Sequence, residues 1–374
     1  MKKIQLIIGD TDALFLQSFS EYIMASNLKS KFDLKLFSSS SRIKKYIETE
    51  QVYDILLIQP ELYNPNMVLS EKNTVFFLQE SMNDANQSQS VYKYQPLNKI
   101  LSDMLSVYYE HYSTFQGVAR EGIKTKVLSV YSPNGGTGKT TFTINLSKQM
   151  ALKGNKVFYL NLEFLNTSSL FFQSADDHPS LQVFYYLKAR PEQFLSKIES
   201  LKKTDETMNV DYFQLPICPD EMIAIKREEI KYLIQAIIET EHYDYILIDL
   251  DSSVHERVGA AIEESHQVIW LLNNDIQSFY KTVGMLDRMD DVFGNEHHLE
   301  EKVTFIMNRF TGYFPEAYLK FNLPIRGYLP NITEWLQNND VKQVLYHPLY
   351  TKELLAITED LIVKREAGVE IDQG

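Results

Sequence analysis

Cysteine is nearly absent: Cys218 stands alone in 374 residues. A disulfide framework and a thiolate-bound metal cluster are thereby excluded within one chain. No low-complexity tract is present, so nothing in the composition argues for disorder. No apolar run approaches the roughly 18 residues that a membrane-spanning helix needs. The opening MKKIQLIIGDTDALF has two lysines and a short apolar run, but Asp10 and Asp12 interrupt it too early for a signal peptide. Basic charge is short as well. Lys and Arg number 37 against 50 Asp and Glu, for a net charge of -13. Residues 1–124 carry 13 basic against 14 acidic side chains, and residues 125–374 carry 24 against 36. An acidic surface repels phosphate backbones, so no nucleic-acid partner is expected for the second part. These absences suit a cytoplasmic protein.

What is present is an alternation of strand and helix patterns, which reads as α/β. In the first part, strands are expected at 3–8, 32–37, 54–58, 74–79 and 91–94. Helical spacing runs through 13–26 and 41–49, and again through Leu97, Ile100, Leu101, Met104, Leu105 and Tyr108. Five strands with intervening helices in about 110 residues predict a flavodoxin-like domain. The stretch 116–124 has two Gly, two basic residues and no apolar period, and is expected to be a linker between domains 1–115 and 125–374. In the second part, strands are expected at 126–131, 156–162, 212–215, 245–248, 268–272, 303–307 and 327–329. Helices are expected at 141–152, 227–239, 278–290 and 352–364.

The stretch YSPNGGTGKTT, Tyr131 to Thr141, carries the clearest chemistry. It resembles the phosphate-binding pattern G-x-x-x-x-G-K-[ST], except that Pro133 stands where the first Gly belongs. The context fits: a strand pattern precedes it and a helical pattern follows. Gly135, Gly136 and Gly138 let successive N–H groups turn toward an anion, and the helix N-terminus adds its unpaired donors. Lys139 is placed to reach the β- and γ-phosphates, and the Thr140 hydroxyl to take Mg²⁺. Further on, YDYILIDLD is an apolar run ending in Asp249, placed to hold Mg²⁺ or its water shell, with Asp251 as a second acid.

Together these motifs resemble the MinD/ParA ATPases, whose deviant loop reads K-G-G-x-G-K-[ST]-[ST]. Here Asn134-Gly135-Gly136-Thr137-Gly138-Lys139-Thr140-Thr141 matches from the second position onward. The resemblance spans roughly 125–365 and accounts for Pro133, since that family does not keep the first Gly. It implies a P-loop NTPase domain with a mostly parallel sheet, binding ATP and Mg²⁺. It implies further that Lys139, Glu163 and Asp249 do the catalytic work, Glu163 by supporting the attacking water. Asn308 and Arg309 of FIMNRF, with Pro330 and Asn331 of RGYLPN, fall where the family lines the adenine. Two departures stand out. Asn134 replaces the Lys that family members extend to the partner subunit's phosphates, and Asn161 replaces the first acid of the pair ending in Glu163. A missing cation stabilises the transition state less, so ATP binding with slow turnover is expected.

The first part resembles response-regulator receiver domains in layout and not in motif. Asp10 and Asp12 occupy the place of the receiver's acidic pair. Gln59 stands at the phosphate-acceptor position and Gln95 at the position of the Lys before Pro96. A Gln amide is neither ionised nor nucleophilic, so Gln59 cannot accept a phosphoryl group. The part is expected to be a docking or dimerisation module.

Such a domain ahead of a MinD/ParA-like ATPase resembles the TadZ/CpaE proteins. The resemblance implies an ATP-linked homodimer and a localisation factor for tight-adherence (Flp-type) pilus assembly. It would be recruited to a cell pole or the inner membrane face, with the first domain docking secretion machinery or a polar protein. The alternatives are DNA partition and division-site placement. Acidic charge weighs against the first. The ending LIVKREAGVEIDQG, with two basic residues, weighs against a direct membrane anchor. His242, His255, His297 and His298 lack the spacing of a metal site.

Overall fold

The computed structural model describes residues 3–25, 29, 32–50, 53–67, 73–81, 89–97, 99–101, 103–105, 107–108, 125–173, 180–293, 299–336 and 341–359. The expected linker 116–124, the pair His297-His298 and the chain beyond 359 lie outside them. The chain divides into two compact units, Met1–Glu121 with Glu192–Ser200, and Gly122–Pro191 with Leu201–Gly374.

In the first unit, strands β1 (Ile4–Gly9), β2 (Phe32–Phe37), β3 (Ile55–Ile58), β4 (Thr74–Gln79) and β5 (Ser90–Tyr92) form one sheet. Their order is β2-β1-β3-β4-β5 and every neighbouring pair is parallel. This is the flavodoxin-like order expected from the alternating pattern. Strand β3 is buried along its whole length, as the centre of a parallel sheet must be. Helix α1 (Ala13–Ala25) buries Leu16, Phe19 and Ile23, the stripe that 3.6 residues per turn predicts. Ile43 and Ile47 of α2 (Ser40–Glu50) pack with Ile7, Leu56 and Ile58. Ile100, Leu101, Met104, Leu105 and Tyr108 are buried on the helical stretch after 97.

The second unit contains β6 (Lys126–Tyr131), β7 (Val157–Asn161), β8 (Lys203–Asp205), β9 (Val210–Tyr212), β10 (Tyr245–Asp249), β11 (Gln267–Asn273), β12 (Val303–Phe310) and β13 (Ile325–Pro330). The order is β13-β12-β11-β6-β10-β7-β9-β8, parallel throughout except for β8 on β9. Register aligns the strand ends. Asp249 of β10 stands beside Asn161 of β7 and Val130 of β6, and Asn273 of β11 stands beside Asn308 of β12. The carboxyl ends of the central strands therefore carry Asn161, Asp249 and Asn308 together, where open parallel sheets hold ligands.

Helix α3 (Lys139–Leu152) runs behind that edge and is buried from Phe142 to Ala151 on all sides. Phe142, Ile144, Leu146 and Met150 join the central core with Leu247, Leu271 and Ile306. Several of its buried polar side chains have partners, although the Asn145 side-chain oxygen has none. Thr143 and Ser147 hydroxyls donate to carbonyls four residues back, and the Lys148 ammonium donates to the Leu345 carbonyl at 2.6 Å.

The second unit also forms helices at Gln182–Ala189, Pro219–Ala224 and Glu256–Glu264 that the periodicity does not predict, and some expected elements differ in their bounds. The strand expected at 212–215 ends at Tyr212, because Val210–Tyr212 forms a hairpin with Lys203–Asp205. Asp205 builds the turn by accepting from the Thr207 and Met208 N–H groups, and Asn209 closes it at φ 55°. The helix expected at 278–290 starts at Ile276, because Asp275 caps it by accepting from Ser278 N at 2.8 Å, and it breaks after Leu286. The last helix runs Pro348–Thr358, with Pro at its first turn, rather than starting at 352.

Candidate functional site

The loop after β6 is shaped by its glycines. Gly136 and Gly138 have φ 69° and 86°, a region that favours glycine. A Cβ on Gly138 would also lie 2.5 Å from the Asn308 side-chain nitrogen. No side chain caps α3, so its first N–H groups remain donors for an anion. The Thr137 hydroxyl is buried and unpartnered.

Lys139 is buried, and its ammonium donates to the Ser252 hydroxyl at 2.9 Å. Burial pulls its pKa down, against the charges of Asp249, Glu163 and Asp251. Thr140 donates to Glu163 Oε2 at 3.1 Å. Asp249 is fully buried. Its Oδ2 accepts from Tyr159 OH at 2.8 Å and from Asn161 Nδ2 at 3.3 Å, while Oδ1 has no partner. Burial, and then the charge of Glu163, hold the Asp249 carboxyl well above the usual carboxylate range. Burial also raises Glu163, outweighing Lys139. Two desolvated carboxylates thus face each other beside one buried ammonium. That is an environment that a hard cation relieves.

Asn161 orients this pair. Its carbonyl oxygen accepts from Glu163 N at 2.8 Å while its amide reaches Asp249. An Asn can donate to Asp249 and accept from Glu163 at once, which a carboxylate cannot. Asp251, the second acidic candidate, is already occupied. It pairs with Arg257 and accepts from Phe164 N at 3.3 Å. Arg257 is fully buried, donates through Nε to Leu162 O at 2.8 Å, and stacks 3.5 Å from the Phe164 ring centroid. It ties the segment bearing Glu163 to the segment after Asp249.

Asn134 is turned inward, with Nδ2 donating to Ser278 Oγ at 3.1 Å. Asn308 donates from Nδ2 to Thr137 O at 2.8 Å and so braces the loop from the side. Arg309, at φ 53°, and the pair Pro330 and Asn331 stand at the ends of β12 and β13, joined by the bond from Asn331 N to Phe310 O. Thr141 lies in the first turn of α3, where its carbonyl accepts from Asn145. Gly135 has open space around it. Among the described residues no three His, Cys, Asp or Glu side chains are grouped to hold a metal, and no helix is long and apolar enough to cross a membrane.

Tyr159, Ser252 and Arg257 escape sequence reasoning because none belongs to a motif. Tyr159 is one apolar-looking letter in a buried strand. Ser252 and Arg257 reach the site through contacts made 113 and 95 positions away in sequence.

At the edge of the first sheet, Gln59 Oε1 accepts from Thr11 N and Thr11 Oγ1 at 3.0 and 2.9 Å. The cation sought at Gln95 comes instead from Lys93. Its ammonium lies 2.9 Å from the fully buried Asp10 and 3.7 Å from both Asp12 and Glu80. Burial pulls the ammonium down, but the hydrogen bond and charge of Asp10 outweigh it, so its pKa is raised.

The raised Asp249 carboxyl has a consequence for stability. The native state binds its proton more tightly than the unfolded chain does, so stability falls as pH rises from the ordinary carboxylate range through the raised native value. Melting temperature against pH in nucleotide-free, metal-free buffer is expected to fall in that window. Asp249→Asn, which cannot titrate, is expected to flatten the fall. An equal slope in the variant would contradict the assignment.

Residues 125–293 match a family described as an AAA domain. Among curated proteins, the septum site-determining protein MinD of Thermotoga maritima is 24% identical over 255 residues, 66% of this chain and 80% of MinD. Among solved structures, septum site-determining protein MinD from Pyrococcus horikoshii, complexed with Mg-ADP, superposes with a TM-score of 0.50. It is 21% identical and covers 66% of this chain and 98% of its own. A ParA family ATPase from Chlorobium tepidum superposes with a TM-score of 0.52 at 16% identity, over 65% of this chain and all of its own. The loop, the strand order and these likenesses agree: the second unit has the P-loop fold of the MinD- and ParA-type ATPases.

Proposed function

We propose that the protein is an ATP-binding switch and localisation factor with slow ATP hydrolysis. The observation that carries the reading is the uncapped helix start beside the buried Asp249, which has a free oxygen, and the half-buried Glu163. The residues fit a magnesium nucleotide. N–H groups of the loop from Gly135 to Thr141 and the Lys139 ammonium would hold the phosphates. The Thr140 hydroxyl and Asp249, directly or through water, would hold Mg²⁺. Asn308, Arg309, Pro330 and Asn331 would flank the base. A bound Mg²⁺ supplies neutralising charge to the phosphates. Of this chain's own residues, Glu163 would orient the water, Asn161 would hold Glu163 and Asp249 in place, and Tyr159 would fix one Asp249 oxygen.

Slow turnover follows from Asn134. The side chain is neutral, buried and bonded to Ser278, so it offers no cation to a partner's phosphates. The domain division proposed is 1–115 for docking, 116–124 as linker and 125–374 for nucleotide. The first domain has a Gln at the acceptor position and a buried Lys93–Asp10 pair, which supports a docking role without phosphorylation. That order supports a place in tight-adherence pilus assembly of the TadZ/CpaE kind, acting at a pole or the inner membrane face. A second reading is favoured by the septum site-determining relatives: division-site placement, or partition in the ParA manner. Binding to anionic vesicles or to DNA in an ATP-dependent way would select it.

Light scattering of the full chain tests the switch. ATP with Mg²⁺ is expected to double the mass, ADP is not, and Lys139→Ala is expected to lose both nucleotide binding and the shift. A wild type that binds no nucleotide overturns the reading. Asn134→Lys is expected to raise ATP turnover in the dimer by about tenfold or more, the scale of a restored transition-state cation. An unchanged rate counts against the lost-cation argument.

A further inference from the structure

The geometry points to Ser252 as an internal competitor for Lys139, a positioning residue that latches the phosphate site shut until nucleotide displaces it. The inference rests on the nucleotide reading above. Ser252 lies on the segment that follows Asp249, and its hydroxyl makes two bonds at once. It accepts from Lys139 Nζ at 2.9 Å and donates to the Asn134 carbonyl at 2.7 Å. The Lys139 ammonium has no other hydrogen-bond partner among the described residues. The loop is held on its far side too, where Ser278 Oγ accepts from both Asn134 Nδ2 and Asn273 N, at 3.1 and 3.0 Å.

This arrangement makes the lysine shared property. A buried ammonium whose charge is penalised by burial needs an acceptor, and in the free protein Ser252 supplies it. Phosphate oxygens and the Ser252 hydroxyl then compete for the same N–H. Binding replaces one bond by another, so the net gain from Lys139 is smaller than the lysine–phosphate contact alone. The exchange leaves Ser252 with its bond to the Asn134 carbonyl alone, on a segment otherwise held by the Asp251–Arg257 pair and by Leu250 N on the Val130 carbonyl. Occupancy at the phosphates is thereby passed to the segment beside Asp249 through one hydroxyl.

The sign of the effect separates this role from a merely structural one. Removing a competitor that acts only in the free state tightens binding, whereas loosening the loop weakens it. The test titrates full-length protein with a fluorescent ATP analogue and Mg²⁺, after a thermal melt confirms folding. Ser252→Ala is expected to bind about threefold to tenfold tighter than wild type, the scale of one ordinary net hydrogen bond. Ser252→Thr, which keeps the hydroxyl, is expected to restore wild-type affinity. If Ser252→Ala does not fold, Ser252→Cys keeps the volume with a much weaker acceptor and is expected to tighten binding likewise. Equal or weaker affinity in a folded variant that lacks the hydroxyl overturns the inference. Lys139→Ala distinguishes the two failures: if wild type binds no better than Lys139→Ala, the nucleotide reading falls, and the latch with it.

Discussion

Asp249 and Glu163 must share one small desolvated space with Lys139, and the rest of the second unit is arranged around that constraint. Two carboxylates at strand ends repel each other, and burial penalises both. The structure meets this with donors rather than with solvent. Tyr159 and Asn161 reach one oxygen of Asp249, Thr140 reaches Glu163, and Lys139 supplies positive charge. One oxygen of Asp249 is left over. The parallel register of β6, β7 and β10 brings these groups to one edge, and the buried helix α3 aims its N-terminus at the same point. A rigid sheet and a central helix thus hold charge in a place where water would otherwise screen it.

Two departures from the MinD/ParA loop pattern acquire a physical meaning in this setting. Asn161, read from sequence as a lost acid, bridges Glu163 N and Asp249 in a way that an ionised carboxylate cannot. A third carboxylate in that space would add repulsion to an already strained pair. Asn134, read as a lost cation, is tied into the unit's own interior through Ser278. Under the proposed function, both substitutions would favour holding a nucleotide over turning it over, so that the ATP-bound state would last long enough to mark a place.

Much of this was legible in the sequence, for identifiable reasons. β10 and β11 are continuous apolar runs between polar ends, and β6 is apolar after Lys126 but for Ser129, as strands buried on both faces require. The glycine loop announces itself because few residues tolerate φ 69° and 86°. The hairpin at 203–212 was not legible, since its strands are three residues each and its turn rests on Asp205. Lys93 carries no motif signal, because the position before Pro96 that matches the receiver pattern is Gln95. The ion pair with Asp10 depends on a β5 that ends at Tyr92, a boundary that no pattern marks. Ser252 and Arg257 act through contacts remote in sequence, which a single chain of letters does not disclose.

The central claim is that phosphates at the loop are felt by both acid-bearing segments together. Hydrogen–deuterium exchange of the full chain, with and without Mg-ATP, tests it most directly. The account predicts that protection rises at once in 134–141, in 161–165 and in 249–255, because Lys139, Thr140, Glu163 and Ser252 exchange partners in one event. Protection confined to 134–141, with the other two segments unchanged, would contradict it.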